Sequence, residues 1–122
     1  MTNITELATT LAGAVNDKHE WGELTWLVNS ALVPGANMTL GTCLIQPGMS
    51  NPLHRHPNCE EVMVVTSGRC IKRIGDETVE LGAGESVVIP QGIPHRATAI
   101  GDEPMTCVIA YNSPDREFEV VR

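Results

Sequence analysis

The stretch that decides the fold runs from residue 48 to residue 68 and reads GMSNPLHRHPNCEEVMVVTSG. It begins and ends with glycine, and it holds His54 and His56, followed by Glu60 and Glu61. On an extended strand, residues i and i+2 face the same side, so both imidazole rings project from one face. Imidazole and carboxylate groups are donors that divalent first-row metals accept. The stretch therefore predicts a strand that offers a mixed nitrogen and oxygen ligand set.

A second stretch, residues 84–95, reads GESVVIPQGIPH and brings one more histidine, His95, after Pro90 and Gly92. Together the two stretches resemble the two motifs of the cupin family, G-x5-H-x-H-x3,4-E-x6-G and G-x5-P-x-G-x2-H. The asparagine that ends the second motif in the family is absent, because Ala99 stands at that position. That asparagine is not a metal ligand, so its absence leaves the predicted metal site intact.

The resemblance implies a metal site with the ligands His54, His56, Glu61 and His95. Glu60 also fits the distance from the histidines, but only Glu61 leaves six residues before Gly68. Four protein donors on an ion that prefers six leave positions for water, dioxygen or a substrate. We expect one divalent transition metal ion per chain, and Fe, Mn, Zn, Ni and Co all suit these donors.

The rest of the chain fits the fold that the resemblance implies, an all-β double-stranded β-helix or jelly-roll barrel. From Trp26 onward, short apolar or alternating runs are separated by glycine and proline turn signals. Residues 3–15 instead place apolar side chains at helical spacing after Asn3, a possible N-cap, and predict one short helix. We therefore expect an N-terminal segment over residues 1–25 and a cupin barrel over residues 26–122, with the tail closing the sheet as a last strand.

The composition excludes several classes of function. The 122 residues carry 8 Lys and Arg against 15 Asp and Glu, a formal charge of -7, so nucleic acid would be repelled. No apolar run approaches the roughly 20 residues of a membrane span, and the start of the chain lacks the pattern of a signal peptide. The four cysteines form no CxxC pair. We expect reduced thiols, a cytoplasmic location and neither a nucleic-acid nor a membrane partner.

Strand alternation also predicts which residues surround the metal. Counting inward from Glu61 places Met63 inside the barrel, and the family pattern extends the count to Lys72. An inward lysine can hold a substrate carboxylate, whereas a bulge near the turn would return Lys72 to the surface. We expect Met63 and Met38 to line the cavity as substrate-binding residues together with Lys72.

Proton transfer needs a further acid or base near the metal, and the sequence offers few candidates. Tyr111 lies near the end of a late strand and Glu60 lies beside the predicted ligand Glu61, so both are candidate catalytic residues. Core packing is the alternative for Tyr111, and a surface position is the alternative for Glu60. His19 matches neither motif, and we expect it in solvent at the end of the helix.

Two hypotheses for function follow. The first is a metal-dependent enzyme, a dioxygenase or an isomerase or lyase, that acts on a small polar or carboxylated organic substrate. The second is a cupin that binds or senses a small molecule through its metal without turnover. Cupins that resemble this sequence include dioxygenases, isomerases, decarboxylases and lyases, so the resemblance specifies the site better than the reaction. Trp21 and Trp26 are expected to pack the N-terminal segment on the barrel or on a partner, and we expect a homodimer.

Overall fold

The computed structural model describes residues 3–122, which fold into two antiparallel β-sheets with almost no helix. This confirms the predicted all-β class. The strands are β1 (Val15–His19), β2 (Gly22–Val28), β3 (Thr39–Ile45), β4 (His54–Arg55), β5 (Glu61–Ser67), β6 (Arg69–Ile74), β7 (Glu77–Gly82), β8 (Ser86–Ile89), β9 (His95–Ile100), β10 (Met105–Tyr111) and β11 (Glu119–Val120). None of the helices in residues 3–122 is long and apolar enough to cross a membrane.

The two sheets pair strands that are distant in sequence, as a jelly roll requires. The six-stranded sheet has the order β1-β2-β3-β10-β5-β8, and the five-stranded sheet has the order β11-β4-β9-β6-β7. In β3 and β10 every second residue is buried, so each strand turns one row of side chains into the barrel. The buried rows of the two sheets together form the core and surround a cavity.

The strand reversal between β5 and β6 depends on Gly68. Its φ of +73° lies in the left-handed region, and an added Cβ would lie 2.3 Å from the carbonyl oxygen of Pro104. A larger residue there would displace the backbone. The alternation changes phase at this reversal, because β5 buries Glu61, Met63 and Val65 whereas β6 turns Cys70 and Lys72 into the barrel. The register between β5 and β10 is irregular at the same place, after Val65.

The structure corrects the prediction of one N-terminal helix. Residues 3–15 form two 3₁₀ turns, Ile4–Leu7 and Leu11–Gly13, and not one continuous helix. Asn3 does cap the first turn, since its side chain accepts a hydrogen bond from the backbone N–H of Thr5. Neither turn buries a residue, and a helix this short needs tertiary packing to form.

Residues 15–25, assigned above to the N-terminal segment, belong to the main sheet. β1 pairs with β2, and β2 runs across position 25 and pairs with β3. Trp26 is buried in the core, and its indole N–H donates to the carboxylate of Asp17 at 3.1 Å. The ring lies against Gly41, where an added Cβ would lie 2.6 Å from a ring carbon. Trp26 thus fastens the first hairpin to the barrel.

Candidate metal centre

The four predicted ligands come together at one end of the barrel, which we call the metal end (His54, His56, Glu61 and His95). β4 supplies His54, the turn after it supplies His56, and β5 and β9 begin with Glu61 and His95. His54 and His95 are direct partners in the five-stranded sheet. All four side chains are buried, and one donor atom from each lies within 4.8 Å of the others. The two sheets therefore share one site.

Backbone carbonyls fix the orientation of all three rings. The Nδ1 atoms of His54, His56 and His95 lie 2.6, 2.7 and 2.9 Å from the carbonyl oxygens of Pro52, Glu117 and Ile93. A carbonyl oxygen only accepts hydrogen bonds, so each Nδ1 carries the proton. In a neutral ring the Nε2 atom then keeps a free lone pair, which is the form that binds a metal.

The metal end contains buried polar atoms whose hydrogen-bonding capacity is unused. Among residues 3–122, His56 Nε2, His95 Nε2 and Glu61 Oε1 have no hydrogen-bond partner. Glu61 Oε1 lies 3.3 Å from His56 Nε2 and 3.4 Å from His95 Nε2, but with both protons on Nδ1 only lone pairs face one another. Such an arrangement is costly unless a cation lies between the atoms. The donor set and its unpaired atoms therefore fit a divalent transition metal.

The protonation states also suit metal binding. Burial, with the neighbouring His95 as the next cause, lowers the pKa of His54 from 6.5 to about 3, so this ring is neutral at neutral pH. Burial opposes ionisation of Glu61, but the charge of Lys72, the largest opposing cause, helps to hold the pKa of this carboxyl well below its usual range. A neutral His54 and an ionised Glu61 are thus ready to bind a metal without first losing protons.

A cavity of about 180 Å³ extends from the metal end into the barrel. Its inner part is defined here as the sulfur end (Cys43, Cys70, Met105 and Cys107), of which all but Cys70 line the cavity. Its rim includes His19 and Trp21, whose rings stack with centroids 4.8 Å apart, and the half-exposed Phe118. The volume is below the roughly 300–1,000 Å³ of pockets for drug-sized ligands, so a small molecule fits best.

Three of the five other predicted site residues line this cavity. Met63, Lys72 and Tyr111 do so, and all three are buried. Glu60 is exposed and its backbone N–H, not its side chain, bonds to Asn112. Met38 is 51% exposed just before β3 and does not line the cavity. The structure thus leaves neither Glu60 nor Met38 in position for the predicted role, because the loops before β5 and β3 turn both outward.

Tyr111 lies beside the ligands. It is the direct cross-strand partner of Glu61, and its ring centroid is 4.9 Å from that of His56. Burial and then the charge of Glu61 raise the pKa of Tyr111 well above its usual value. The phenol therefore stays protonated at neutral pH and can donate a hydrogen bond or a proton.

The C-terminal tail, residues 112–121, contributes site residues that sequence reasoning missed. The carbonyl of Glu117 orients His56, and the Phe118 ring stacks on His54 with centroids 4.8 Å apart. The Arg116 guanidinium lies 4.4 Å over the Trp26 ring and also lines the cavity. A last strand was expected here, and β11 pairs with β4. The sequence pattern of the tail predicts a strand but does not indicate that the strand contacts the ligands.

Comparison with known proteins identifies the family. The Cupin domain family matches residues 41–111, more than half of the chain, and the chain belongs to that family. Germin-like protein 3-8 of Oryza sativa subsp. japonica is 31% identical over 111 residues, which are 84% of this chain and 49% of that protein. The chain thus spans about half the length of this curated relative.

Solved structures agree with the fold. Oxalate decarboxylase of Lactobacillus farciminis, in a formate complex, superposes with a TM-score of 0.84 at 24% identity, covering 90% of this chain and 34% of that chain. Oxalate oxidase in complex with glycolate gives a TM-score of 0.83 at 22% identity, covering 95% of this chain and 64% of that chain. At these identities the similarity establishes the barrel and carries no assignment of substrate.

Proposed function

We propose that the protein is a metal-dependent cupin enzyme that acts on a small polar or carboxylated organic substrate. One divalent ion per chain, among Fe, Mn, Zn, Ni and Co, would be held by His54, His56, Glu61 and His95. The observation that carries the proposal is the set of unpaired buried atoms, His56 Nε2, His95 Nε2 and Glu61 Oε1, at the end of an accessible cavity. A closed structural site would have no need of that cavity.

A bound ion would supply Lewis acidity toward a substrate oxygen or, if it is redox-active, access to dioxygen chemistry. The protein's own residues prepare the site for the substrate. Carbonyl groups keep the imidazoles in one orientation, and Met63, Met105 and Ile109 give the cavity apolar walls. Tyr111 holds a proton at its hydroxyl oxygen next to Glu61, where it can donate to a developing negative charge.

The cavity favours dioxygenase chemistry over isomerase or lyase chemistry. Proton abstraction requires a base near the metal, yet among residues 3–122 the one carboxylate that lines the cavity is Glu61, which the metal would occupy. Tyr111 is suited to give a proton and not to take one. His19 lies at the exposed rim, and the Lys72 ammonium, which also lines the cavity, has no lone pair to accept a proton. The same lack of a spare base keeps the alternative open, a cupin that binds or senses a small molecule without turnover.

Turnover by the metal-loaded protein tests the proposal. Dioxygen uptake and substrate loss, followed by an oxygen electrode and by NMR, would be measured with 2-hydroxy, 2-oxo and dicarboxylic acids of up to about six heavy atoms. We expect turnover in the wild type and none in Glu61→Gln, with Glu60→Gln as the matched control. Tight binding of an acid without turnover in either assay would support the sensing alternative and reject the enzyme.

Two further proposals concern the assembly of the protein and its location. The apolar residues Ile4, Leu7 and Leu11 are more than half exposed, and the all-exposed strand β1 forms an edge of the main sheet. We infer that this segment docks on a second copy of the chain and forms a homodimer. Sedimentation should give twice 13.2 kDa, whereas a mass of 13.2 kDa at high concentration would reject the dimer. The cytoplasmic location stays a prediction.

A further inference from the structure

Lys72 is a cation buried inside the barrel. Its side chain is 2% exposed, and it lines the cavity from β6, beside Ala97 of β9 and Val79 of β7. The chain has one other lysine, Lys18, which is exposed on β1. Lysine is almost never fully buried without a partner, so the position of Lys72 calls for a physical reason.

Among the described residues, no carboxylate forms an ion pair with Lys72. Within residues 3–122, Lys72 forms no ion pair at 4.0 Å or less. Its charge acts on Glu61, whose pKa it lowers, and toward the thiols of Cys70 and Cys107 at the sulfur end. Lys72 thus lines the same cavity as Glu61 of the metal end and Cys107 of the sulfur end. Glu61 is the one carboxylate that lines the cavity with Lys72, and a bound metal would be coordinated by that carboxylate.

The charges of the loaded site leave an excess. A divalent ion and the Lys72 ammonium are opposed by the single negative charge of Glu61, which leaves two positive charges, and the Arg116 guanidinium, which also lines the cavity, adds a third. The other inner walls, Met63, Ala97 and Ile109, offer no negative charge. Buried charge without compensation is costly, and a ligand that brings negative charge removes that cost.

We propose that Lys72 forms the anion subsite of the cavity, and that the substrate is a short carboxylic acid whose carboxylate contacts the Lys72 ammonium while another oxygen faces the metal. This inference rests on the proposed metal centre and deepens it by naming the substrate class. The volume of about 180 Å³ limits the acid to a few heavy atoms. Ala97 supports the proposal because its small side chain, directly opposite Lys72 in the sheet, leaves space beside the ammonium.

A matched pair of probes isolates the charge. Glycolate and its uncharged analogue glycolamide differ only in the carboxylate, and both would be titrated calorimetrically into the metal-loaded protein after its metal content is measured. We expect the wild type to prefer glycolate by at least about tenfold, because the ammonium forms a charge-assisted hydrogen bond with the carboxylate alone. Lys72→Met should remove this preference, while Lys18→Met should retain it.

The ratio of the two affinities separates anion recognition from a structural role. Loss of packing at position 72 would weaken both probes alike, whereas loss of an anion subsite weakens glycolate alone. Lys72→Arg keeps the charge and should keep the preference, which preserves the test if Lys72→Met fails to fold. Equal binding of the two probes by the wild type, no binding of glycolate, or an unchanged ratio in Lys72→Met would each overturn the proposal.

Failure of the two proposals can be told apart. A wild type that takes up no metal contradicts the proposed function before any probe is added. A wild type that is loaded with metal and prefers glycolate through Lys72, yet turns over none of the acids, retains the anion subsite and loses the enzyme assignment. Metal-loaded protein that turns over a neutral substrate and ignores glycolate retains the enzyme and loses the subsite.

Discussion

The metal end and the sulfur end of the barrel interior are built from the same alternating strands but differ in chemistry. The single strand β10 connects the two ends. Its Tyr111 lies beside the metal ligands, and its Met105 and Cys107 lie at the sulfur end. Buried nitrogen and oxygen atoms without partners lie at the metal end. At the sulfur end the buried side chains are thiols and thioethers, which pack as apolar groups and need no partner. The difference teaches that burial alone marks the core, while burial without a partner marks the site.

Substitution of the carboxylate ligand should have the largest effect at the metal end. Glu61→Gln removes the one negative charge among the four ligands, and we expect the protein to lose its stoichiometric metal. Glu60→Gln changes an exposed side chain and should retain one equivalent. Metal analysis by inductively coupled plasma mass spectrometry measures both. The reverse result would show that Glu60 is the ligand.

The sulfur end should respond in the opposite way. Met105 is fully buried, and Met105→Ala should lower the free energy of unfolding by about 2–5 kcal/mol through the cavity it creates. Because the carbonyls that orient the three imidazole rings belong to Pro52, Glu117 and Ile93, the metal content should stay at the wild-type value. Urea unfolding of the metal-free protein gives the first quantity and metal analysis the second. Loss of metal in Met105→Ala at full stability would contradict the division into two ends.

Lowering the pH should reduce the free energy of unfolding of the metal-free protein, because His54 at the metal end is buried in its neutral form. The pKa of His54 is about 3 in the folded state and 6.5 ordinarily. Between pH 6.5 and about pH 3, the imidazole is therefore protonated in the unfolded chain and neutral in the folded chain. The free energy of unfolding must therefore fall as the pH falls through this window. From pH 7 to pH 5 we expect a loss of about 2 kcal/mol from this group.

The control for this pH dependence removes the titrating ring. In His54→Asn the slope of stability against pH should decrease between pH 7 and pH 5, whereas His19→Asn, at the exposed rim, should keep the wild-type slope. Denaturant unfolding at a series of pH values measures both. A slope that is unchanged in His54→Asn would show that His54 is not the source.

The tail should contribute the smallest effect at the metal end. Phe118→Ala removes the ring that stacks on His54, and an aromatic pair of this kind contributes about 0.5–1.5 kcal/mol. We therefore expect metal affinity to fall by roughly two- to tenfold. Leu11→Ala, an exposed residue of the N-terminal turns, should leave affinity unchanged. Competition with a chelator of known affinity measures the difference, and equal affinities for the two variants would remove the tail from the site.

The sequence allowed much of this site to be predicted, for physical reasons that can be named. His54 of β4 and His56 just after it were predicted to share a face from strand periodicity, and the spacing to Gly68 distinguishes Glu61 from Glu60. Lys72 was open to two interpretations, because alternation survives a turn only if no bulge intervenes. The structure settles this point: the alternation changes phase between Val65 and Cys70, where the register of β5 against β10 is irregular, and the new phase turns Lys72 inward.

Other features were beyond the sequence. Glu117 acts through its backbone carbonyl, so its identity carries no signal, and the tail reaches β4 across about sixty residues of intervening chain. The apolar spacing of residues 3–15 predicted a helix, but local spacing does not show whether a partner surface exists to pack against. In the described structure Leu7 and Leu11 have none within the chain, and 3₁₀ turns form instead.

The most direct test of the account is the metal content of four histidine variants beside the wild type, all purified untagged and without chelator. We predict about one equivalent of a first-row transition metal in the wild type and in His19→Ala. His54→Ala, His56→Ala and His95→Ala should each lose stoichiometric metal, because each removes one of the donors that lie within 4.8 Å of one another. Equal metal content in all five proteins, or a wild type that neither carries nor accepts metal, would contradict the metal centre.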